Sequence, residues 1–178
     1  MLTNFAVGTT YSDQVGVQSF VTVYPASVTL APSGDVVQVS GTVGDYAAFG
    51  VSFGACVDAS AYAGLSFALG GSVGPVGTLL LSVYTREDSP EPPFTATGTC
   101  VPQDPANPFA DCRQAYMTLS VSPTAQPTTV RFADFLGGMP ASNAEPTQML
   151  SIWFSLPWGP TAQPYAVDLT LGNVALVH

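Results

Sequence analysis

The 178-residue chain contains 47% hydrophobic residues but only 8% charged residues, against roughly 25% charged in an ordinary soluble protein. Its three cations are all arginine (Arg86, Arg113 and Arg131) and oppose twelve acidic residues, so the formal net charge is -9. This balance argues against nucleic acid and anionic membranes as partners, because both require clustered basic residues. The high apolar content argues against a disordered chain.

Hydrophobic and polar side chains alternate with a period of two along most of the chain, a pattern typical of half-buried strands. Clusters drawn from the 17 glycines and 16 prolines separate the alternating runs. About nine strands with one apolar face each favour an antiparallel two-sheet β-sandwich, because such a sheet buries its apolar face against another. In chain order, the predicted strands are 15–24, 28–31, 36–41, 46–53, 65–69, 79–84, 116–121, 150–156 and 167–171.

The chain is expected to form one β-sandwich domain over residues 1–178, because neither a repeat nor an interdomain linker interrupts the alternation. Long loops are expected at 86–111 and 156–165, and no apolar run is long enough to predict a transmembrane helix. Short helical turns are predicted only at 58–62, 132–136 and 146–148. The inward faces of the strands predict a core of Phe49, Val51, Phe53, Leu65, Phe67, Leu81, Val83, Leu119, Ile152, Phe154, Val167 and Leu169.

Three cysteines are present: Cys56, Cys100 and Cys112. Cys100 and Cys112 bracket a segment rich in Pro, Asp and Asn, where a disulfide would stabilise a short loop by on the order of 3 kcal/mol in the chain-entropy treatment. The favoured prediction is this bridge, with Cys56 free and buried. The alternatives are a Cys56–Cys100 bridge and three reduced, buried thiols. The cysteines and the absence of lysine favour a secreted or cell-surface protein.

Four segments resemble the galactose-binding-like jelly rolls, particularly the carbohydrate-binding modules attached to bacterial plant-polysaccharide hydrolases. Residues 39–46 (VSGTVGDY) and 56–67 (CVDASAYAGLSF) are similar to a D-x-S-x-Y-x-G-h-x-F stretch of that group. Residues 130–135 (VRFADF) are similar to its v-x-F-x-D-F strand and turn, and residues 167–177 (VDLTLGNVALV) to its final strand. The resemblance implies a jelly roll that binds a polysaccharide or oligosaccharide, with β-glucan favoured, and an appended or associated glycoside hydrolase.

The same resemblance bears on metal binding. Such modules often hold a structural calcium with acidic residues near both chain ends, because a hard cation requires several oxygen ligands. This chain has Asn4-Phe5-Ala6 and Gly172-Asn173 at those places, which weakens the case for calcium, and Asp168 is the remaining candidate ligand. No cofactor is therefore expected to be required.

Aromatic residues on polar strand faces are the candidates for sugar binding. Trp153 falls on the polar face of its strand, opposite Ile152 and Phe154. An aromatic ring left on a polar face offers a surface on which a sugar ring can stack. If the strands concerned are neighbours, Arg86 adds donors for sugar hydroxyls. The predicted carbohydrate-binding platform then comprises Tyr84, Arg86, Tyr116 and Trp153.

Each of these residues also has a simpler interpretation. A loop could cover Trp153 and form a small satellite core. Trp158, in the tight loop 157–160, is either a contact at the rim of the platform or an anchor for that loop. Arg86 could form a surface ion pair with Glu87 or Asp88, which would contribute little to stability.

A catalytic constellation is not evident in the sequence. The only histidine is His178, most acidic residues fall in turns or in the acidic loop, and no nucleophile elbow, zinc spacing or phosphate loop is found. The prediction is therefore a non-catalytic carbohydrate-binding module. The alternative is a secreted structural or adhesive surface protein that self-assembles through its low-charge exterior.

Overall fold

The computed structural model describes residues 1–2, 9–93, 95–157 and 164–178. Within these ranges the chain is almost entirely β-structure, with one short helix, α1 (Pro108–Asp111), and two 3-10 turns, Phe132–Asp134 and Pro146–Gln148. None of the described helices is long and apolar enough to cross a membrane. In chain order, β1 to β12 are Thr9–Ser12, Val17–Tyr24, Val28–Ser33, Val36–Val43, Ala47–Val57, Gly64–Ser72, Thr78–Thr85, Ala115–Ser120, Gln126–Arg131, Met149–Leu156, Tyr165–Gly172 and Ala175–Val177.

The strands form two sheets, and all pairs of named strands are antiparallel. The front sheet has the order β1-β2-β5-β10-β7-β8. The back sheet has the order β12-β6-β11-β4-β3, and β9 also pairs with β6. The predicted antiparallel two-sheet sandwich is confirmed. The sequence pattern missed β1, β9 and β12, which are short or contain too few apolar residues to show a clear period.

The core lies between the two sheets, and all twelve predicted core residues are buried. The rings of Phe49 on β5 and Phe154 on β10 stack with centroids 5.3 Å apart. Phe67 on β6 of the back sheet meets Phe154 edge-on at 5.5 Å. This aromatic cluster therefore joins the two sheets directly, in the arrangements that aromatic pairs prefer.

The predicted helical turns have mixed outcomes. Those at 132–136 and 146–148 contain the two 3-10 turns. Segment 58–62 instead forms a single non-helical turn, in which the Tyr62 N–H donates to the Ala59 carbonyl. The Asp58 carboxylate accepts the Ser60 N–H at 2.9 Å, the local contact of an Asx turn.

The cysteines follow the favoured prediction in part. Cys100 and Cys112 form a disulfide. Cys56 is free as predicted, but the prediction that it is buried is wrong, because its side chain is exposed. The cause is a register shift: β5 advances from Ser52 to Val57 while β10 advances only from Ser151 to Met149. The extra β5 residues leave the regular ladder, so period-two alternation no longer predicts which side chains point inward.

Candidate carbohydrate-binding face

The outer face of the front sheet carries a row of registered residues across five strands. Thr22 on β2 pairs with Gly50 on β5, and Gly50 pairs with Trp153 on β10. Trp153 pairs with Ser82 on β7, which pairs with Tyr116 on β8. Side chains directly opposite one another on an antiparallel sheet share a face. The row therefore places two aromatic residues on one surface, with a small residue between them.

The rows on either side repeat this combination of aromatic and small residues. In one of them, Ser151 on β10 pairs with Ser52 on β5 and with Tyr84 on β7. In the other, Ser155 pairs with Ala48, which pairs with Tyr24 on β2. Along the middle of the sheet the outward side chains are thus Ala, Gly or Ser next to larger rings. Ala48, Ser82, Ser151 and Ser155 are buried although they point away from the core.

Three features fix the position of the Trp153 indole. Its indole Nε1 donates a hydrogen bond of 3.0 Å to Ser151 Oγ. Its ring lies 6.4 Å from that of Tyr84, at an interplanar angle of 60°. On β5, a Cβ at Gly50 would lie only 3.0 Å from Trp153 Cγ, so the absence of a side chain there gives the indole its room. The result is a half-buried indole with a fixed orientation.

Tyr84 lies beside Trp153 and is also half-buried. Burial raises the pKa of its phenol to about 12, because the phenolate would lose solvation there. The hydroxyl therefore stays protonated through the physiological range and can both donate and accept hydrogen bonds. A sugar hydroxyl requires this kind of partner.

Tyr46 and Tyr24 extend the aromatic surface. Their rings lie 6.3 Å apart, and both side chains are exposed. The Tyr46 hydroxyl is 3.3 Å from Ser155 Oγ, which ties Tyr46 to β10 although it precedes β5. Two aromatic pairs, Tyr24–Tyr46 and Tyr84–Trp153, therefore lie beside the small residues of the sheet.

Two clefts lie over this face, with volumes of about 610 Å³ and 570 Å³. Tyr46, Tyr84 and Phe109 line both of them. Trp153 lines the first, while Arg113 and Tyr116 line the second. The remaining lining is mainly Ser, Thr and Leu. Among the described residues neither cleft is lined by Asp or Glu, so the clefts offer aromatic faces and neutral hydroxyls, together with the Arg113 guanidinium in the second cleft.

The structure brings three of the predicted platform residues together. Tyr84, Tyr116 and Trp153 lie on one face of adjacent strands. This is the arrangement expected from the period-two alternation within each strand and from the assumption that the strands are neighbours. Arg86 is exposed just beyond the end of β7 and lines neither cleft. It forms no ion pair in the part of the chain that the structure describes. Trp158 lies outside the described residues.

Four further aromatic or charged cleft residues escaped the sequence analysis. Tyr24 lies on the outward face of β2, and Tyr46 continues the outward parity of β5 just before that strand begins, so parity together with aromaticity could have identified both. Phe109 and Arg113 lie in or directly after the long loop, where no periodicity applies. Only the tertiary course of the loop brings them to the sheet.

The structure leaves untested the expectation that no cofactor is required. No group of three His, Cys, Asp or Glu residues in the described ranges could hold a metal ion. The Asp168 carboxylate accepts a hydrogen bond from the Gln38 amide of the neighbouring strand, an ordinary cross-strand contact. The Asn173 Oδ1 is buried without a partner among the described residues, which leaves one oxygen free to ligate a cation. Asn4, at the other predicted end, lies outside those residues.

The two antiparallel sheets form a jelly-roll sandwich, and this fold is similar to that of solved carbohydrate-binding modules. In particular, the chain is similar to the family 11 carbohydrate-binding module from Clostridium thermocellum, solved in complex with a β-1,3-1,4-mixed-linked tetrasaccharide. The TM-score is 0.59 at 14% identity, covering 99% of this chain and 94% of that one. The family 11 module of a cellulosomal cellulase of the same organism gives 0.58 at 14% identity, covering 97% and 95% of the two chains.

An agarase is similar over part of its length, with a TM-score of 0.58 and 9% identity. The match covers 94% of this chain but only 24% of the agarase. No family model matches the sequence, and the comparison with curated proteins gives no match. At these identities the likeness shows the fold.

Proposed function

We propose that the protein is a non-catalytic carbohydrate-binding module that holds a plant-type polysaccharide, with β-glucan favoured, on the outer face of the front sheet. The observation that carries this proposal is the pair of clefts that share Tyr46 and Tyr84, the first of them also lined by Trp153, over a floor of small and hydroxylated residues. Sugars offer apolar C–H faces flanked by hydroxyls, and this face offers rings flanked by hydroxyls. The likeness to a module solved with a mixed-linked glucan supports the choice of β-glucan.

The lining of the clefts supports the non-catalytic part of the proposal. Glycoside hydrolysis requires two carboxyl groups that face one cleft across the scissile bond. The described lining of both aromatic clefts lacks such a pair. A further cleft beside the disulfide is lined by Glu87 and Asp111, but the Asp111 carboxylate accepts the Gln103 and Asp104 N–H groups and so stabilises its own loop.

A location outside the cell, or on its surface, follows from the same proposal. The Cys100–Cys112 disulfide requires an oxidising compartment to persist. Insoluble polysaccharide lies outside the cell and must be reached there. An appended or associated hydrolase is the expected partner, and the agarase whose chain contains a similar sandwich supports this arrangement.

Replacing Trp153 by Ala tests the proposal. We expect the affinity for a β-1,3-1,4-mixed-linked glucan tetrasaccharide to fall about five- to thirtyfold, because one stacking surface worth about 1–2 kcal/mol is lost. Isothermal titration calorimetry measures the affinity, and Trp153→Phe, which keeps an aromatic face, should retain most of it. Circular dichroism should show the same fold, because the indole is not part of the core, which lies between the two sheets.

Trp153 would instead have a structural role if Trp153→Ala lowered the melting temperature by many degrees and left the retention on insoluble cellulose, xylan and chitin unchanged. Sedimentation of the unaltered protein separates the module from the self-assembling alternative, because a module is expected to be monomeric and an adhesive protein to form filaments or closed oligomers.

A further inference from the structure

Phe109 lines both clefts but does not belong to the sheet. It lies in α1, the single helical turn Pro108–Asp111, inside the loop that the Cys100–Cys112 disulfide closes. Its side chain is 52% exposed although it is fully apolar. It nevertheless lines both aromatic clefts, next to Tyr46 and Tyr84. An exposed ring at the junction of two clefts is the kind of apolar surface that marks a ligand contact.

The space in front of Phe109 is open. In the described part of the chain no ring pair joins Phe109 to Tyr46, Tyr84 or Trp153, although these three rings are linked to neighbours of their own. Phe109 therefore lines the clefts without closing them against the sheet. A flat sheet face offers one stacking surface to a sugar, whereas a ring supplied by a loop adds a second wall.

The ends of the loop around Phe109 are buried at Cys100 and Cys112, whereas the residues between them are held mainly by contacts within the loop. None of the α1 residues is buried. The Asp111 carboxylate accepts backbone N–H groups at 3.0 Å and 3.2 Å, and Asp104 accepts the Ala106 N–H at 2.9 Å. Cys112 follows α1 directly and is fully buried, so the disulfide ties α1 to Cys100 at the point nearest to Phe109. The α1 side chains add no buried apolar contact of their own.

We propose that Phe109 is a second wall of the saccharide groove and that the Cys100–Cys112 disulfide sets the affinity of the groove by holding that wall in place. This proposal rests on the proposed function, because it deepens the description of the same site. It assigns the disulfide a role in recognition besides its contribution to stability. The ligand it implies is a saccharide chain gripped from two sides at the junction of the clefts.

The experiment measures the affinity for the β-1,3-1,4-mixed-linked glucan tetrasaccharide by calorimetry. It uses four variants: Phe109→Ala, Phe20→Ala, the variant with both bridge cysteines replaced by serine, and the combination of that variant with Phe109→Ala. Phe109→Ala should weaken binding about three- to tenfold, which corresponds to one aromatic contact. The matched control is Phe20→Ala, because Phe20 is also an exposed phenylalanine (42%), shares the outer face, and lines neither cleft. It should bind like the unaltered protein.

The disulfide is tested by a double-mutant cycle. Replacing both cysteines of the bridge by serine should weaken binding by a similar factor, but should add little when Phe109 is already Ala, because the bridge acts through that ring. A purely structural disulfide would produce additive effects. Phe109→Ala tests the wall with the bridge intact, so the result does not depend on the serine variant being folded.

The outcomes distinguish this proposal from the proposed carbohydrate-binding function on which it rests. Unchanged binding by Phe109→Ala, together with weakened binding by Trp153→Ala, overturns the second wall and leaves the carbohydrate-binding function standing. Additive effects in the cycle overturn the role of the disulfide in recognition. Absence of binding by the unaltered protein to cellulose, xylan, chitin and the tetrasaccharide overturns both proposals.

Discussion

At the scale of single residues, the aromatic face depends on polar contacts as much as on rings. The Trp153 indole is oriented by Ser151, and the Tyr46 hydroxyl lies against Ser155. Both serines are small enough to lie beneath the rings and polar enough to fix them. If the rings moved, both serines would lose these hydrogen-bond partners. The orientation of the rings is therefore stabilised by hydrogen bonds whose loss costs free energy.

Asp88 is a second residue-scale feature, and it lines neither aromatic cleft. Only 1% of its surface is exposed. Its Oδ1 accepts the Ala141 N–H at 3.0 Å, while its Oδ2 is buried without a partner among the described residues. Burial raises the pKa of this carboxyl from 3.8 to about 6. Ionised Asp88 is therefore unfavourable in the folded state.

The pH dependence of stability follows from that shift. Between about pH 4 and pH 6 the folded chain keeps a proton at Asp88 that the unfolded chain has lost, so stability falls as pH rises through this window. The slope from one proton is at most about 1.4 kcal/mol per pH unit. Asp88→Asn should remove this contribution and make the protein more stable than the unaltered chain at pH 7. Urea unfolding at pH 4, 5, 6 and 7 measures both effects.

Glu91→Gln is the control for that measurement, because Glu91 is an exposed carboxylate of the same loop. It should leave the pH dependence close to that of the unaltered protein. An Asp88→Asn variant with an unchanged slope between pH 4 and pH 6 would contradict the assignment of the slope to Asp88.

At the scale of elements, the junction of β5 and β10 shapes the site. The two strands pair regularly from Ala47–Leu156 to Ser52–Ser151, which sets Gly50 opposite Trp153. A Cβ at Gly50 would lie 2.3 Å from the Ile152 carbonyl oxygen and 2.9 Å from Trp153 Cα. Glycine at this position allows β5 and β10 to pair while the indole occupies the space above β5.

Gly50→Ala should therefore disturb both stability and binding. We expect a loss of about 1–3 kcal/mol in the free energy of unfolding, the usual cost of overpacking a closely packed position, together with weaker binding of the glucan tetrasaccharide. Chemical denaturation and calorimetry measure the two effects. Gly44→Ala is the matched control, because nothing lies within 4 Å of a Cβ placed there. Equal stability of the two variants would show that β5 and β10 accommodate the methyl group.

At the scale of the whole molecule, the two sheets share one core. Phe49 and Phe154 from the front sheet meet Phe67 from the back sheet in a single aromatic cluster. Neither sheet can lose this cluster without exposing the apolar face of the other. Because hydrophobic burial is the main stabilising contribution in such a sandwich, the sheets should unfold together.

We therefore expect one cooperative unfolding transition for the whole chain. Far-UV circular dichroism should show a spectrum dominated by β-structure, and its thermal midpoint should coincide with that of tryptophan fluorescence. Two separated midpoints, or a spectrum dominated by helix, would contradict a single sandwich domain over residues 1–178.

Much of this fold could be predicted because alternation is a local property. Successive side chains of a strand point to opposite faces, so the residues of strand 150–156 divide into inward and outward sets without knowledge of their neighbours. Burial of Ile152 and Phe154 confirms this division. The same rule failed at Cys56, where the β5 bulge shifts the register, because a bulge depends on the partner strand.

The sequence by itself determined the class of fold, the core, the Cys100–Cys112 bridge as the favoured pairing, and the outward direction of Tyr84, Tyr116 and Trp153. Each depends on side chains a few residues apart, or on a short loop. Only the tertiary structure decided that β10, β7 and β8 are neighbours, that Arg86 lies outside the clefts, and that α1 carries Phe109 to the aromatic face. Strand order and loop course arise from contacts between residues far apart in sequence, which no local pattern records.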